Sequence, residues 1–270
     1  MRPLLLLSTL MALAGTIRPS GAEPHPIAPP PFAATQPALT YENPKHLTAE
    51  IYSQDGDRRE LLFRFERQAS REGKNLIVLR EYKYPDGKLA ARERFVYQGD
   101  ALKLFALEEL QTGGQGSAAI KRVAPGHDTI DFTYFPEPGI KPKLDSEPLR
   151  PETLVNDMVG QFLVSHWDQL ARGEKVRCRY MVVPRRETVG FTFIKTAESS
   201  LNGQPVVTVK MEPTSALLAA LVKPLLFTLE KNHPHRVLQY VGRTTPKLKV
   251  GSKWTDLDAL TVFDWADTRP

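Results

Sequence analysis

Residues 206–243 read VVTVKMEPTSALLAALVKPLLFTLEKNHPHRVLQYVGR and carry the clearest fold signal in the chain. The opening VVTVKM alternates between two faces, which is the period of a β-strand. Residues 216–222 then contain no polar side chain, although a helix on a protein surface ordinarily has a polar face. This segment is therefore expected to be a short helix that is buried, lies in a groove or touches lipid. Strand patterns resume at residues 225–230 and 236–242.

The chain before this stretch predicts one short strand after another. The segments LLFRF at residues 61–65 and LIVLREY at residues 76–82 alternate between two faces. Turn signals such as Gln54-Asp55-Gly56-Asp57 and Pro85-Asp86-Gly87 lie between the strand patterns. Short strands separated by tight turns indicate an antiparallel meander with one apolar and one charged face. The proline-punctuated residues 136–148 are expected to link this meander to the second half of the chain.

A longer periodic segment, residues 151–172, predicts one amphipathic helix. Leu154, Met158 and Phe162 recur at a spacing that places them on one helix face. A proline at the start of the segment and a glycine just after its end suit the two helix termini. Strand patterns then continue to residue 265. The predicted fold class is therefore mainly β with helices: a curved, open antiparallel sheet, or half-barrel, that wraps one long amphipathic helix and one short apolar helix.

The N-terminal residues have the pattern of an exported protein. Arg2 precedes an apolar run at residues 4–14, and Ser20-Gly21-Ala22 supplies the small residues that a signal peptidase reads. The run is too short to cross a bilayer, which takes about 20 residues. The alternative, a buried N-terminal helix, is disfavoured because Arg18 and Pro19 follow directly and no helix cap does.

The chain is predicted to comprise a signal peptide at residues 1–22, a proline-rich flexible lead at residues 23–40 and a single β-rich half-barrel domain at residues 41–270. Cys178 is the only cysteine, so the sequence predicts neither an internal disulfide nor a lipid-modified cysteine at the cleavage point. We expect a bacterial periplasmic or secreted protein that is not membrane-anchored. The net charge of +5 is distributed over interleaved basic and acidic residues, which argues against nucleic acid as a partner.

Few residues suggest catalytic or metal chemistry. Cys178 falls on an apolar strand face, where a cysteine behaves as a small hydrophobic residue rather than a nucleophile. His233 and His235 flank a proline in a turn, and a structural zinc site needs about four ligands. The sequence contains neither a Gly-x-Ser-x-Gly elbow nor a glycine-rich phosphate loop. We therefore predict no enzymatic activity, no metal and no cofactor.

The order of these elements resembles the half-barrel fold of the periplasmic lipoprotein carriers. In that family a curved open sheet wraps around helices, and its apolar concavity takes up acyl chains. Residues 176–265 are also similar to uncharacterised secreted β proteins of the DUF3108 type, chiefly in the runs Pro224-Leu225-Leu226-Phe227 and Pro234-His235-Arg236-Val237-Leu238. The chain departs from the membrane-anchored receptors of the carrier fold because it lacks their lipid-modified cysteine. No functional residue of the carriers transfers position by position.

The sequence and this resemblance together predict a non-enzymatic protein that binds a lipid or another apolar ligand on the concave face of the sheet. The residues predicted to line the ligand groove are Met158, Phe162, Leu217, Leu218, Leu221, Phe227 and Tyr240. One alternative is a module with a filled core that docks another envelope protein. A second alternative is an envelope hydrolase. Its candidate carboxylates are Glu108, Glu109, Asp128 and Asp131.

Overall fold

One sheet of fifteen strands dominates the computed structural model, which describes residues 40–54 and 60–265, without the side chain of Leu221. The predicted signal peptide and most of the proline-rich lead lie outside these residues. The strands are β1 His46–Tyr52, β2 Leu61–Glu72, β3 Asn75–Lys83, β4 Leu89–Gln98, β5 Ala101–Glu109, β6 Gly114–Ala124, β7 His127–Phe135, β8 Lys143–Pro148, β9 Thr153–Leu154, β10 Val176–Val182, β11 Glu187–Leu201, β12 Gln204–Pro213, β13 Leu225–Glu230, β14 Val237–Val250 and β15 Lys253–Asp264.

Each half of the chain forms a meander, and the two meanders join at the first and last strands. The strand order is β8-β7-β6-β5-β4-β3-β2-β1-β15-β14-β13-β12-β11-β10-β9. All neighbours pair antiparallel except β9, a short strand that runs parallel to β10. The predicted antiparallel meander is therefore confirmed. The tight turn that joins β11 to β12 uses Asn202 and Gly203, both with positive φ, as a hairpin of this kind requires.

The sheet curls until its two ends approach each other without backbone pairing. The backbone N–H of Thr188 on β11 donates to Glu147 Oε1 on β8 over 2.9 Å. Val183 packs directly on Gly116 of β6, where an added Cβ would lie 2.4 Å from Val183 Cγ1. These contacts hold a curved sheet whose edge strands, β8 and β9, are not paired with each other. The structure thus confirms the predicted half-barrel class.

The linker prediction for residues 136–148 is wrong in its second part, because Lys143–Pro148 forms β8 and pairs with β7. This strand is exposed along almost its whole length and has no apolar alternation. It is an edge strand held by backbone pairing, and the proline at its end is tolerated at a sheet edge. The hydrophobic period that identified the other strands is therefore missing here.

The helix predicted at residues 151–172 is shorter than expected and is divided in two. Its first residues form β9, and Val155 is extended before a 3₁₀ turn at Asn156–Met158. Helix α1 spans Val159–Ser165 and helix α2 spans Trp167–Ala171. His166 leaves the helical conformation between them, and its Nδ1 lies 2.9 Å from the carbonyl oxygen of Phe162. The apolar stripe is real, because Val159, Phe162 and Leu163 of α1 are all buried.

The apolar segment forms helix α3, Ala216–Leu221, as predicted, and Ser215 caps its start. Full burial of this helix, one of the three environments considered above, does not occur. Leu217 is 74% exposed and Leu218 is half-buried. The helix lies in the connection between β12 and β13, beyond the last pair of those strands, Met211 with Leu225. No helix in the described ranges is long and apolar enough to cross a membrane.

Candidate ligand cavity

A cavity of about 1200 Å³ occupies the concave side of the half-barrel. Ligand pockets in proteins commonly measure about 300–1,000 Å³, so this volume is sufficient for a large apolar molecule. Much of its wall is aromatic or aliphatic. The wall includes Phe65, Phe105, Met181, Phe191, Met211 and Leu225. Helix α1 also contributes to the wall, with Gly160 near its start and Val164 near its end.

The residues predicted to line a ligand groove occupy three different environments. Leu218, Phe227 and Tyr240 line the cavity. Met158 and Phe162 are buried in the core and are not among its lining residues. Leu217 points to solvent, and the side chain of Leu221 is outside the described atoms. The role of the seven residues in ligand binding stays a prediction, although Leu217 is not among the residues that line the cavity.

A series of ring contacts connects three of the predicted residues, Phe162, Phe227 and Tyr240. It passes through Phe193, which the sequence analysis did not single out. The Phe162 ring lies 5.5 Å from the Phe193 ring, which lies 6.0 Å from Phe227, and Phe227 lies 4.9 Å from Tyr240. Phe193 is fully buried. The core under α1 is therefore continuous with the cavity wall, and packing in the core fixes the position of that wall.

A row of charged side chains crosses the apolar concave face on three neighbouring strands. Arg67 on β2 is the cross-strand partner of Arg80 on β3, and Arg80 is the cross-strand partner of Glu93 on β4. All three line the cavity. Two like charges opposite each other destabilise a sheet, so each arginine requires a compensating anion. The 3₁₀ turn before α1 lies over this row and supplies polar groups to it.

Arg67 is fully engaged by the turn and by the chain before β1. Its Nε donates to Asp157 Oδ1 over 2.7 Å, and its Nη2 donates to the Tyr41 carbonyl over 2.6 Å. Its Nη1 donates to the Pro44 carbonyl. Tyr97 also donates its hydroxyl to Asp157, over 3.0 Å. The side chains of Arg67 and Asp157 are only 7% and 2% exposed, so this is a buried ion pair with its hydrogen-bonding capacity well used.

Glu93 accepts three hydrogen bonds from neutral donors. Asn156 Nδ2 and Thr245 Oγ1 each donate to Glu93 Oε1 over 2.6 Å, and Tyr82 Oη donates to Oε2 over 3.2 Å. Arg80 Nε lies 3.4 Å from Oε2. Buried carboxylates need such partners, because desolvation without hydrogen bonds is costly. The cavity thus combines an apolar wall with one polar cluster.

Cys178 is buried on β10, as its strand phase predicted. Burial, with a smaller contribution from the charge of Glu152, raises the pKa of its thiol to about 12. A thiol in this state is protonated at neutral pH and is a poor nucleophile. Within the described ranges, no group of three or more His, Cys, Asp or Glu side chains is arranged to hold a metal ion.

The four carboxylates considered for a hydrolase all lie beside cations. The pairs are Glu108 with Arg92 at 3.5 Å, Glu109 with Lys247 at 3.2 Å, Asp128 with Arg122 at 3.1 Å and Asp131 with Lys121 at 2.7 Å. Of these carboxylates only Glu109 lines the cavity. The structure therefore does not place two of them together at the cavity, as glycoside hydrolysis requires.

Comparison with known proteins gives a match to a solved structure but none to a family model or a curated sequence. No protein-family model matches the chain, and no curated protein matches its sequence. A solved structure with a similar fold is the crystal structure of a β-barrel-like protein of the domain of unknown function DUF1849 from Brucella abortus. The TM-score is 0.37 at 10% sequence identity, and the match covers 82% of this chain and 97% of that chain.

Proposed function

We propose that this chain is an exported, non-enzymatic protein that binds a lipid or another apolar ligand inside its half-barrel. The observation that carries the proposal is the large cavity with an aromatic and aliphatic wall. An apolar wall with a few convergent polar groups is the usual character of a small-molecule site. The resemblance of the sequence to the periplasmic lipoprotein carriers supports the same function. Export rests on Arg2, residues 4–14 and Ser20-Gly21-Ala22.

Apolar burial is the expected source of affinity. Each buried methylene contributes about 0.8 kcal/mol, which corresponds to a roughly fourfold change in affinity per methylene. Affinity for a homologous series of acyl chains should therefore rise with chain length until the chain fills the cavity, and then level off. A surface patch that adsorbs detergent-like molecules would show no such plateau.

Gly160 offers a substitution that fills the cavity without disturbing the core. It lies on α1 and lines the cavity, and the nearest atom to an added Cβ would be Val237 Cγ2 at 4.0 Å. Gly160→Phe would project a ring into the cavity. Gly160→Ala is the matched control, because it adds only the Cβ and should stabilise the helix by roughly 0.5–1 kcal/mol.

The experiment is a fluorescence titration with the neutral dye phenylnaphthylamine and with a fluorescent fatty acid. The wild type and Gly160→Ala should bind both probes, and Gly160→Phe should bind them about tenfold more weakly or worse, since excluding a few carbon atoms from an apolar pocket costs at least that much. Equal binding by the Phe and Ala variants would place the probes elsewhere. Absence of binding by the wild type would overturn the proposal.

A further inference from the structure

Arg80 is a cationic group in the cavity with hydrogen-bonding capacity that the protein does not use. Its Nη2 donates to Tyr82 Oη over 3.1 Å, and this is its one hydrogen bond to a described residue. Its Nε is buried and makes none, although Glu93 lies within ion-pair distance. A guanidinium carries five N–H donors. The side chain is only 13% exposed and lines the cavity.

The position of Arg80 is fixed although its donors are not satisfied. Its guanidinium carbon lies 4.9 Å from the centre of the Phe65 ring, which is within cation–π distance. Burial alone would lower the pKa of Arg80, but the neighbouring Tyr82 and Glu93 outweigh it and raise the pKa. The group therefore stays charged. Glu93 does not consume the donors of Arg80, because Asn156, Thr245 and Tyr82 already supply its shortest hydrogen bonds.

Tyr180 adds a second free donor from the other half of the sheet. It lies on β10 and lines the same cavity. Its hydroxyl makes no hydrogen bond to any described residue, while its ring packs edge-on against Phe191 at 6.1 Å. Burial, followed by Tyr240 and Glu93, raises the pKa of Tyr180 well above its usual value, and the charge of Arg80 opposes this shift without cancelling it. The hydroxyl therefore keeps its proton, and Tyr180 lines the same cavity as Arg80 and Glu93.

The Arg80 guanidinium and the Tyr180 hydroxyl both offer hydrogen-bond donors in an apolar cavity. A ligand that suits them has a hydrogen-bond acceptor at one end and an apolar body. A guanidinium offers only donors, and its fork matches the two oxygens of a carboxylate. We infer that the cavity binds an acidic amphiphile, whose carboxylate is held by Arg80 and Tyr180 while its apolar chain lies against the wall that includes Phe227 and Met211. This inference rests on the proposed function, because it specifies the chemical class of the ligand in the same cavity.

The test compares ligands that differ only in the polar end. Dodecanoic acid, dodecanol and methyl dodecanoate compete for displacement of phenylnaphthylamine from the wild type at about pH 8, where the acid is ionised. A charged hydrogen-bonded pair should favour the acid by roughly tenfold to a hundredfold over the alcohol. The ester, which keeps acceptor oxygens but has no charge, should lie closer to the alcohol than to the acid.

Two variants locate the source of the preference. Tyr180→Phe removes one hydroxyl that has no described protein partner and keeps the ring, so it should reduce the ratio of acid affinity to alcohol affinity severalfold. Arg80→Met combined with Glu93→Gln removes the ion pair as a unit, so that no buried charge is left uncompensated, and it should abolish the preference. Tyr134→Phe is the matched control. Its hydroxyl donates to Glu109 over 3.4 Å and it does not line the cavity.

A second readout uses dodecanoic acid labelled with ¹³C at the carboxyl carbon. Arg80 and Tyr180 lower the pKa of a bound acid, whereas the charge of Glu93 and the apolar wall raise it. The bound acid should therefore titrate at a lower pH in the wild type than in Tyr180→Phe or in the double variant. If the dye binds but the acid, alcohol and ester compete equally, the inference fails and the proposed function survives. If neither the dye nor the acid binds, the inference and the proposed function both fail. If the double variant does not fold, the wild-type comparison, the ¹³C titration and Tyr180→Phe decide the result.

Discussion

Asp157→Asn should destabilise the protein strongly, because it removes the anion from a buried ion pair. Arg67 and Asp157 are 7% and 2% exposed, and their closest atoms are 2.7 Å apart. Removing one partner of such a pair leaves the other charge buried and costs about 3–5 kcal/mol. The asparagine is nearly isosteric, so the change tests charge rather than packing. Since small proteins have about 5–15 kcal/mol of stability, the variant should fold and its loss should be measurable.

Urea unfolding at neutral pH, followed by tryptophan fluorescence, measures this loss. Glu42→Gln is the control, since it makes the same carboxylate-to-amide change in the pair with Arg71, whose side chain is 60% exposed. Exposed pairs contribute little to stability, so the control should match the wild type. The slope of unfolding free energy against urea should be equal in all three proteins. If Asp157→Asn were as stable as Glu42→Gln, the charged row would not be held as the structure describes.

Three further predictions concern the closure of the sheet, the lone cysteine and export. Gly116→Ala should destabilise the protein by roughly 1–3 kcal/mol through its clash with Val183, and adding Val183→Ala should recover part of that loss. If the stability losses of the two single variants simply add in the double variant, as measured by urea unfolding, the two residues are not in contact. Cys178→Ser should cost on the order of 1–3 kcal/mol, since it places a hydroxyl in a buried apolar setting, and fast labelling of the folded wild type by a thiol reagent would contradict that burial. The exported protein should begin near Glu23 and be released by osmotic shock; N-terminal sequencing that still finds Met1 would contradict the signal-peptide prediction.

The strands could be predicted because their side chains alternate, whereas the helical segments could not be placed from their period alone. Strand β8 has no alternation to detect, since it is exposed on both faces. The apolar composition of α3 indicated contact with apolar surface, but the sequence does not encode which side of the helix meets the sheet. Leu217 consequently lies in solvent while Leu218 reaches the cavity.

The polar cluster was partly visible in the sequence. Arg80 falls in phase with the buried Val78 and Tyr82, and Glu93 falls in phase with the buried Phe95, so each is a charge on an apolar strand face. A charge in that phase is a signal of a buried polar site. The cross-strand alignment of the two required the register of β3 and β4. Tyr180 of β10 lines the same cavity as Arg80 only because the whole sheet curls, and no local pattern determines how far it curls.

Native mass spectrometry of the protein purified without detergent tests whether the half-barrel holds an apolar ligand. The account predicts a mass above that of the bare chain, with one small apolar molecule released on denaturation, and rebinding of dodecanoic acid after the ligand is removed. Loss of both signals in Gly160→Phe but not in Gly160→Ala would place the molecule in the cavity. A bare mass for the wild type, with no uptake of added dodecanoic acid, would contradict ligand binding and favour a protein-docking module.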